Sequence, residues 1–147
     1  MNPNAPNQDG SDSLVEFIAH AQHDLRNPLG NILGFCEILG QQLKDAPNQD
    51  LRRGLETISQ WAEQMAEEID HVLDPNKTPP GPEAVKALQG QLRHQTAGVI
   101  NKIQNMSALA GVLDDTLLCQ DLSRMADSAA RLARVIETSL SAYPDRQ

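Results

Sequence analysis

Displaced against itself by 71 residues, the separation of His94 from His23, the chain comes into register with no gap. Ile103 then falls under Ile32, Gly111 under Gly40, and Gln120-Asp121-Leu122 under Gln49-Asp50-Leu51. An internal repeat constrains a fold more than any local propensity, because each copy is one supersecondary unit and the copies must bury each other's apolar faces. Between them lies Asp74-Pro75-Asn76-Lys77-Thr78-Pro79-Pro80-Gly81-Pro82, whose four prolines in nine residues predict an extended linker.

Within each copy apolar residues recur at alternating steps of four and three. Leu14, Ile18, Ala21, Leu25, Pro28, Ile32, Phe35 and Leu39, flanked by Leu29, Cys36 and Leu43, predict a first helix at about 13–44. Leu51, Leu55, Ile58, Ala62, Met65, Ile69 and Val72 predict a second at about 49–73, after the turn Asp45-Ala46-Pro47-Asn48. Two more follow, at about 83–115 along Val85, Leu92, Val99, Ile103, Met106, Ala110 and Leu113, and at about 119–142 along Leu122, Ala126, Ala129, Ala133, Ile136, Leu140 and Tyr143. One helical hairpin exposes an apolar face that it cannot bury alone, and two close a four-helix bundle. The expected fold is all-α: an antiparallel four-helix bundle of two repeated hairpins, 13–73 and 83–143, joined by the linker 74–82 and related by a pseudo-two-fold axis within a monomer. Swapped dimers are the alternative that such a linker leaves open.

Residues 1–12, rich in Asn, Pro, Gln, Asp and Gly, predict a disordered leader, with Ser13 and Glu16 placed as a capping box for the first helix. Aromatic residues make up 3% of the chain and Ala, Leu, Gln and Glu abound, which favours helices over a sheet. A net charge of −8 argues against nucleic acid or an anionic membrane as partner. No apolar run reaches the ~18 residues of a membrane helix and no basic-then-apolar leader opens the chain, so a cytoplasmic location is expected. Cys36 and Cys119 match no metal or redox spacing and read as reduced, mostly buried thiols. Trp61 reads as a core or groove residue, and His71 as a cation suited to the end of its helix.

With Leu25 and Ile32 at heptad position a, His23 takes position f, facing away from the core, and His94 takes the same position in the second copy. A histidine kept for packing would not point outward, so the choice at His23 lies between a solvated surface residue and a functional one. His20 and His23 are three apart, but no thiolate or carboxylate set joins them, so no metal site is expected.

The stretch His23-Asp24-Leu25-Arg26-Asn27-Pro28-Leu29 resembles the phosphoacceptor box of two-component sensor histidine kinases, over about 25 residues of surrounding helix. The resemblance implies that His23 takes a phosphoryl group, that Asp24 orients or deprotonates its imidazole, and that Asn27, one turn on, positions a water for hydrolysis of the phosphorylated partner. Arg26 could meet a phosphoryl oxygen. Each of these three also reads as an ordinary polar residue on a solvated face. Pro28 donates no amide and crowds the carbonyl of Asp24, so it predicts a local hinge one turn after His23 whatever the family. A neutral imidazole, with a free pKa of about 6.5, is a usable nucleophile near pH 7.

The second copy departs from the box: Gln95, Thr96, Ala97, Gly98 and Val99 stand where the first has Asp24, Leu25, Arg26, Asn27 and Pro28. His94 is therefore a possible second phosphoacceptor or a relic used in docking. Gly30-Asn31-Ile32-Leu33-Gly34 lies mid-helix, without the strand and loop of a phosphate-binding site, and no Mg-binding acidic cluster appears. No autokinase activity is expected. The resemblance then points to a stand-alone histidine phosphotransferase of a phosphorelay, like those of the sporulation and cell-cycle type. Its partners would be response-regulator receiver domains, with a histidine kinase as a further partner. It would need no cofactor of its own, the Mg²⁺ and the aspartate coming from the receiver. Two alternatives stay open: a non-catalytic decoy or adaptor, and the bundle portion of a longer sensor kinase.

Overall fold

A computed structural model of the chain describes residues 5–45 and 48–144, with side chains from Ser13 onward. Four helices follow in order: α1 (Ala5–Gln42), α2 (Gln49–Val72), α3 (Pro82–Val112) and α4 (Thr116–Ser141). Among the described residues there is no strand, and the architecture is the expected all-α bundle.

The helices form a square. α1 packs on α2 and α4, α3 packs on α2 and α4, and among the described residues neither diagonal pair meets. Contacts fix the directions. Arg26 reaches Asp70 while Gly40 lies against Leu55, so α1 and α2 run antiparallel. Glu68 bonds Gln91 while Gly54 lies against Met106, so α2 and α3 do too. The ring of Phe17 in α1 meets that of Tyr143, just past α4, edge to face at 5.6 Å. The stripes of four and three point inward: Leu25, Leu29, Ile32 and Leu39 of α1, Ile58, Met65 and Ile69 of α2, Leu92 and Val99 of α3, and Leu122, Ala129 and Ile136 of α4 have no exposed surface. Positions 71 apart share this inward face, as in Ile32 and Ile103, Ile58 and Ala129, and Met65 and Ile136.

The helix ends follow local chemistry. Asn48 caps α2, its Oδ1 accepting from the amides of Asp50 at 3.0 Å and Leu51 at 3.2 Å. Pro82 opens α3 at a position where the missing amide costs nothing. The turn between α3 and α4, at 113–115, is as long as the expected gap at 116–118 but falls three residues earlier. Asp114 adopts a left-handed conformation (φ 59°), and the Oδ1 of Asp115 accepts from the amide of Leu118 at 3.1 Å, so α4 starts at Thr116.

The first helix also begins earlier than expected. Its backbone is helical from Ala5, which leaves Ser13 and Glu16 inside the helix and removes the proposed capping box there. Pro6 falls in the first turn, where no intrahelical bond is lost. The leader expected over residues 1–12 lies outside the described residues at 1–4, and the turn residues Ala46 and Pro47 lie outside them as well.

At the end of the bundle where Phe17 of α1 meets Tyr143, the linker is held in place. The Tyr143 hydroxyl donates to the carbonyl of Pro80, and Asp74 accepts from the amide of Asn76 at 2.9 Å. Leu73, the last residue before the linker, is fully buried.

Candidate functional site

His23 stands on the outer face of α1, exposed, while Leu25 two residues on is at 0% exposure. This is the outcome of the heptad frame: a core stripe at a and d leaves f in water. Asp24, Arg26 and Asn27 are exposed beside it, and Pro28 is buried within the helix. Neither His23, Asp24 nor Asn27 makes a side-chain hydrogen bond or ion pair with another described residue. The imidazole is thus open to a visiting group, with an unengaged carboxylate next to it in sequence and an unengaged amide one turn away on the same face.

Arg26 is not unengaged. Its guanidinium lies 3.5 Å from a carboxylate oxygen of Asp70 on α2, and the amide of Gln22 donates to the other oxygen of Asp70 at 3.0 Å. Sequence reasoning missed Asp70. The signal was there in its place: a carboxylate near the end of α2, opposite the level of the box across an antiparallel hairpin. Both partners are about half exposed, so the pair is screened and weak, and Arg26 can exchange it for another anion.

Around His94 the same positions are used for packing. His94 is exposed. Arg93 holds Glu137 of α4 through two bonds of 2.8 Å, which pushes the Glu137 pKa down. Gln91 donates to Glu68 of α2 at 2.7 Å. The Glu68 carboxyl is pushed up, first by burial, with Gln95 beside it pulling it down and Glu67 raising it again. Gln95, the counterpart of Asp24, is therefore turned to α2 and half-buried. Gly98, the counterpart of Asn27, lies under the ring of Trp61. Thr96, the counterpart of Leu25, is buried at 1% exposure, its hydroxyl 3.5 Å from the Met65 sulfur.

Cys36 is buried and Cys119 half-buried, both as free thiols; burial, then Glu63, pushes Cys36 up to about 12. Among the described residues no three His, Cys, Asp or Glu side chains converge to hold a metal ion. No helix among them is long and apolar enough to cross a membrane.

The first hairpin presents an outward imidazole on a helix whose opposite face builds a core, the layout of a phosphoacceptor helix. Residues 13–81 match the family model of the His Kinase A (phospho-acceptor) domain. Its members serve two-component signalling, where a histidine accepts a phosphoryl group and the domain works with kinase or receiver partners. An uncharacterised sensor-like histidine kinase of Rhizobium meliloti (strain 1021) is 28% identical over 100 residues, covering 60% of this chain and 19% of that protein. The chain thus spans about a fifth of the length of that curated relative. No solved structure matches the chain with significance.

Proposed function

We propose that the chain is a histidine-containing phosphotransfer protein of a bacterial phosphorelay, with His23 as its phosphoacceptor. The observation that supports this reading is the exposed, unengaged His23 beside Asp24 and Asn27 in a matched phosphoacceptor box. A receiver domain docks against α1 and α2 and brings an aspartyl phosphate in line with the imidazole. A ring nitrogen bonds to phosphorus as the aspartyl oxygen leaves as carboxylate, and Asp24 takes up the proton from the other ring nitrogen. The transition state is loose, so positioning and neutralisation of charge supply most of the acceleration. The receiver brings its own Mg²⁺, and Arg26 leaves Asp70 to meet a phosphoryl oxygen. The reverse transfer hands the group to a second receiver. Pro28 gives the end of α1 that carries His23 the freedom to adjust. The two hairpins are read as copies of one unit, of which only the first keeps the full box.

Incubation with a phosphorylated receiver should place acid-labile label on the chain and none on His23→Ala. Label that persists in His23→Ala refutes the assignment, and label lost only in His94→Ala moves it to the second hairpin. A non-catalytic adaptor is the second reading. It is favoured by a largely apolar groove of about 290 Å³ between α3 and α4, lined by Thr96, Ala97, Ile100, Ala133 and Ile136 and edged by the Arg93–Glu137 pair, where a partner could bind without transfer. Receiver binding unchanged in His23→Ala, with no transfer in the wild type, would select it. A reading frame continuing past Gln147 into an ATP-binding domain would instead make these helices the bundle of a longer sensor kinase.

A further inference from the structure

The two hairpins are alike in pattern and different where they touch. In the α2–α3 seam, Trp61 packs on Gly98: a Cβ on Gly98 would lie 3.0 and 3.1 Å from two ring carbons. Two turns along, Gly54 packs on Met106, and a Cβ there would lie 2.9 Å from the sulfur. The α1–α4 seam is the counterpart under the 71-residue displacement, and it fills the same places otherwise. Leu132 stands for Trp61 and Asn27 for Gly98; Met125 stands for Gly54 and Phe35 for Met106.

Consider a bundle made of two first hairpins, with the same backbone. Trp61 would face Asn27, whose Cβ alone crowds the ring and whose amide would lie across it. A bundle of two second hairpins fails elsewhere. Met125 would press on Met106, which is buried at 3% exposure, and Leu132 would leave a gap over the half-buried Gly98. Overpacking and voids both destabilise a close-packed core. One hairpin of each kind avoids both faults.

We propose that Trp61–Gly98 and Gly54–Met106 form a pairing key, which makes each hairpin complementary to the other kind and a poor partner for itself. The partner of the first hairpin is the second hairpin, and a bundle built this way carries one complete phosphoacceptor box. The inference stands on packing alone and does not depend on transfer by His23.

The test is a sign reversal in the full chain. Alanine is a better helix former than glycine, so on an open helix face Gly98→Ala raises stability. Under the Trp61 ring it should lower the urea midpoint, whereas in a Trp61→Leu background it should raise it. A second cycle, Gly54→Ala with and without Met106→Ala, should behave in the same way and serves if Trp61→Leu does not fold. Gly→Ala shifts of the same sign and size in both backgrounds overturn the key.

Discussion

Thr96 is the one position in the layer of Leu25 and Met65 where the second hairpin puts a hydroxyl into the core, and Thr96→Val is the most informative stability test. The side chain is at 1% exposure, and its hydroxyl has only the Met65 thioether at 3.5 Å. A thioether is a weak acceptor, so the bond returns little of the cost of drying the hydroxyl, about 1–3 kcal/mol in protein mutational data. Valine keeps the shape and the β-branch, so helix propensity changes little. A net gain of about 1 kcal/mol is the expectation. For 147 residues at about 2.1 cal/mol/K each, the unfolding entropy is about 0.31 kcal/mol/K, and the melting temperature rises by about 3 °C. Thermal unfolding followed by circular dichroism reads this directly. Met65→Leu, which removes the acceptor and keeps the volume, should cost stability in the wild type and much less in Thr96→Val. A Thr96→Val protein that melts several degrees lower refutes the reasoning, because it would mean that the hydroxyl holds a bond stronger than its geometry gives.

Further outcomes follow from the same contacts. Glu68 has a raised pKa, so its charged form weakens the fold: its favourable contribution is complete below the ordinary carboxylate value of 4.5 and is lost as pH rises through the folded value. Glu68→Gln should therefore stabilise the bundle at neutral pH, with the gain fading in acid, as read by urea midpoints across pH. Tyr143 is raised by burial above the ordinary 10.0, so folding favours the protonated phenol and stability falls as pH climbs past the folded value. Tyr143→Phe should flatten that alkaline loss while lowering stability at neutral pH, since Pro80 loses its donor. Asn48→Ala removes the side-chain cap from two amides of α2 and should cost about 1 kcal/mol in chemical denaturation.

The fold was legible because apolar spacing of four and three speaks directly of helices, and an unbroken register of 71 residues says that two hairpins share one core. Heptad position alone put His23 outside, two residues from the buried Leu25. Helix ends were less legible. Ser13 and Glu16 have the spacing of a capping box, but such a signal cannot stop a helix that has already started upstream at Ala5. The turn at Asp114 depends on a left-handed backbone that Asp tolerates without announcing. Contacts across helices were hidden for a different reason. Asp70 and Gln22, or Trp61 and Gly98, are brought together by helix rotation, which periodicity fixes only to within a face.

The carboxylate of Asp70 is shared by two residues on either side of His23, Gln22 before it and Arg26 after it. Were an anion to take Arg26, as the proposed transfer requires, Gln22 would keep its bond to Asp70, and the buried Leu25, Leu29, Met65 and Ile69 would still hold α1 to α2. On the proposed function, Arg26 can then turn to a phosphoryl group at little cost to the bundle, because the ion pair it gives up is half exposed and screened.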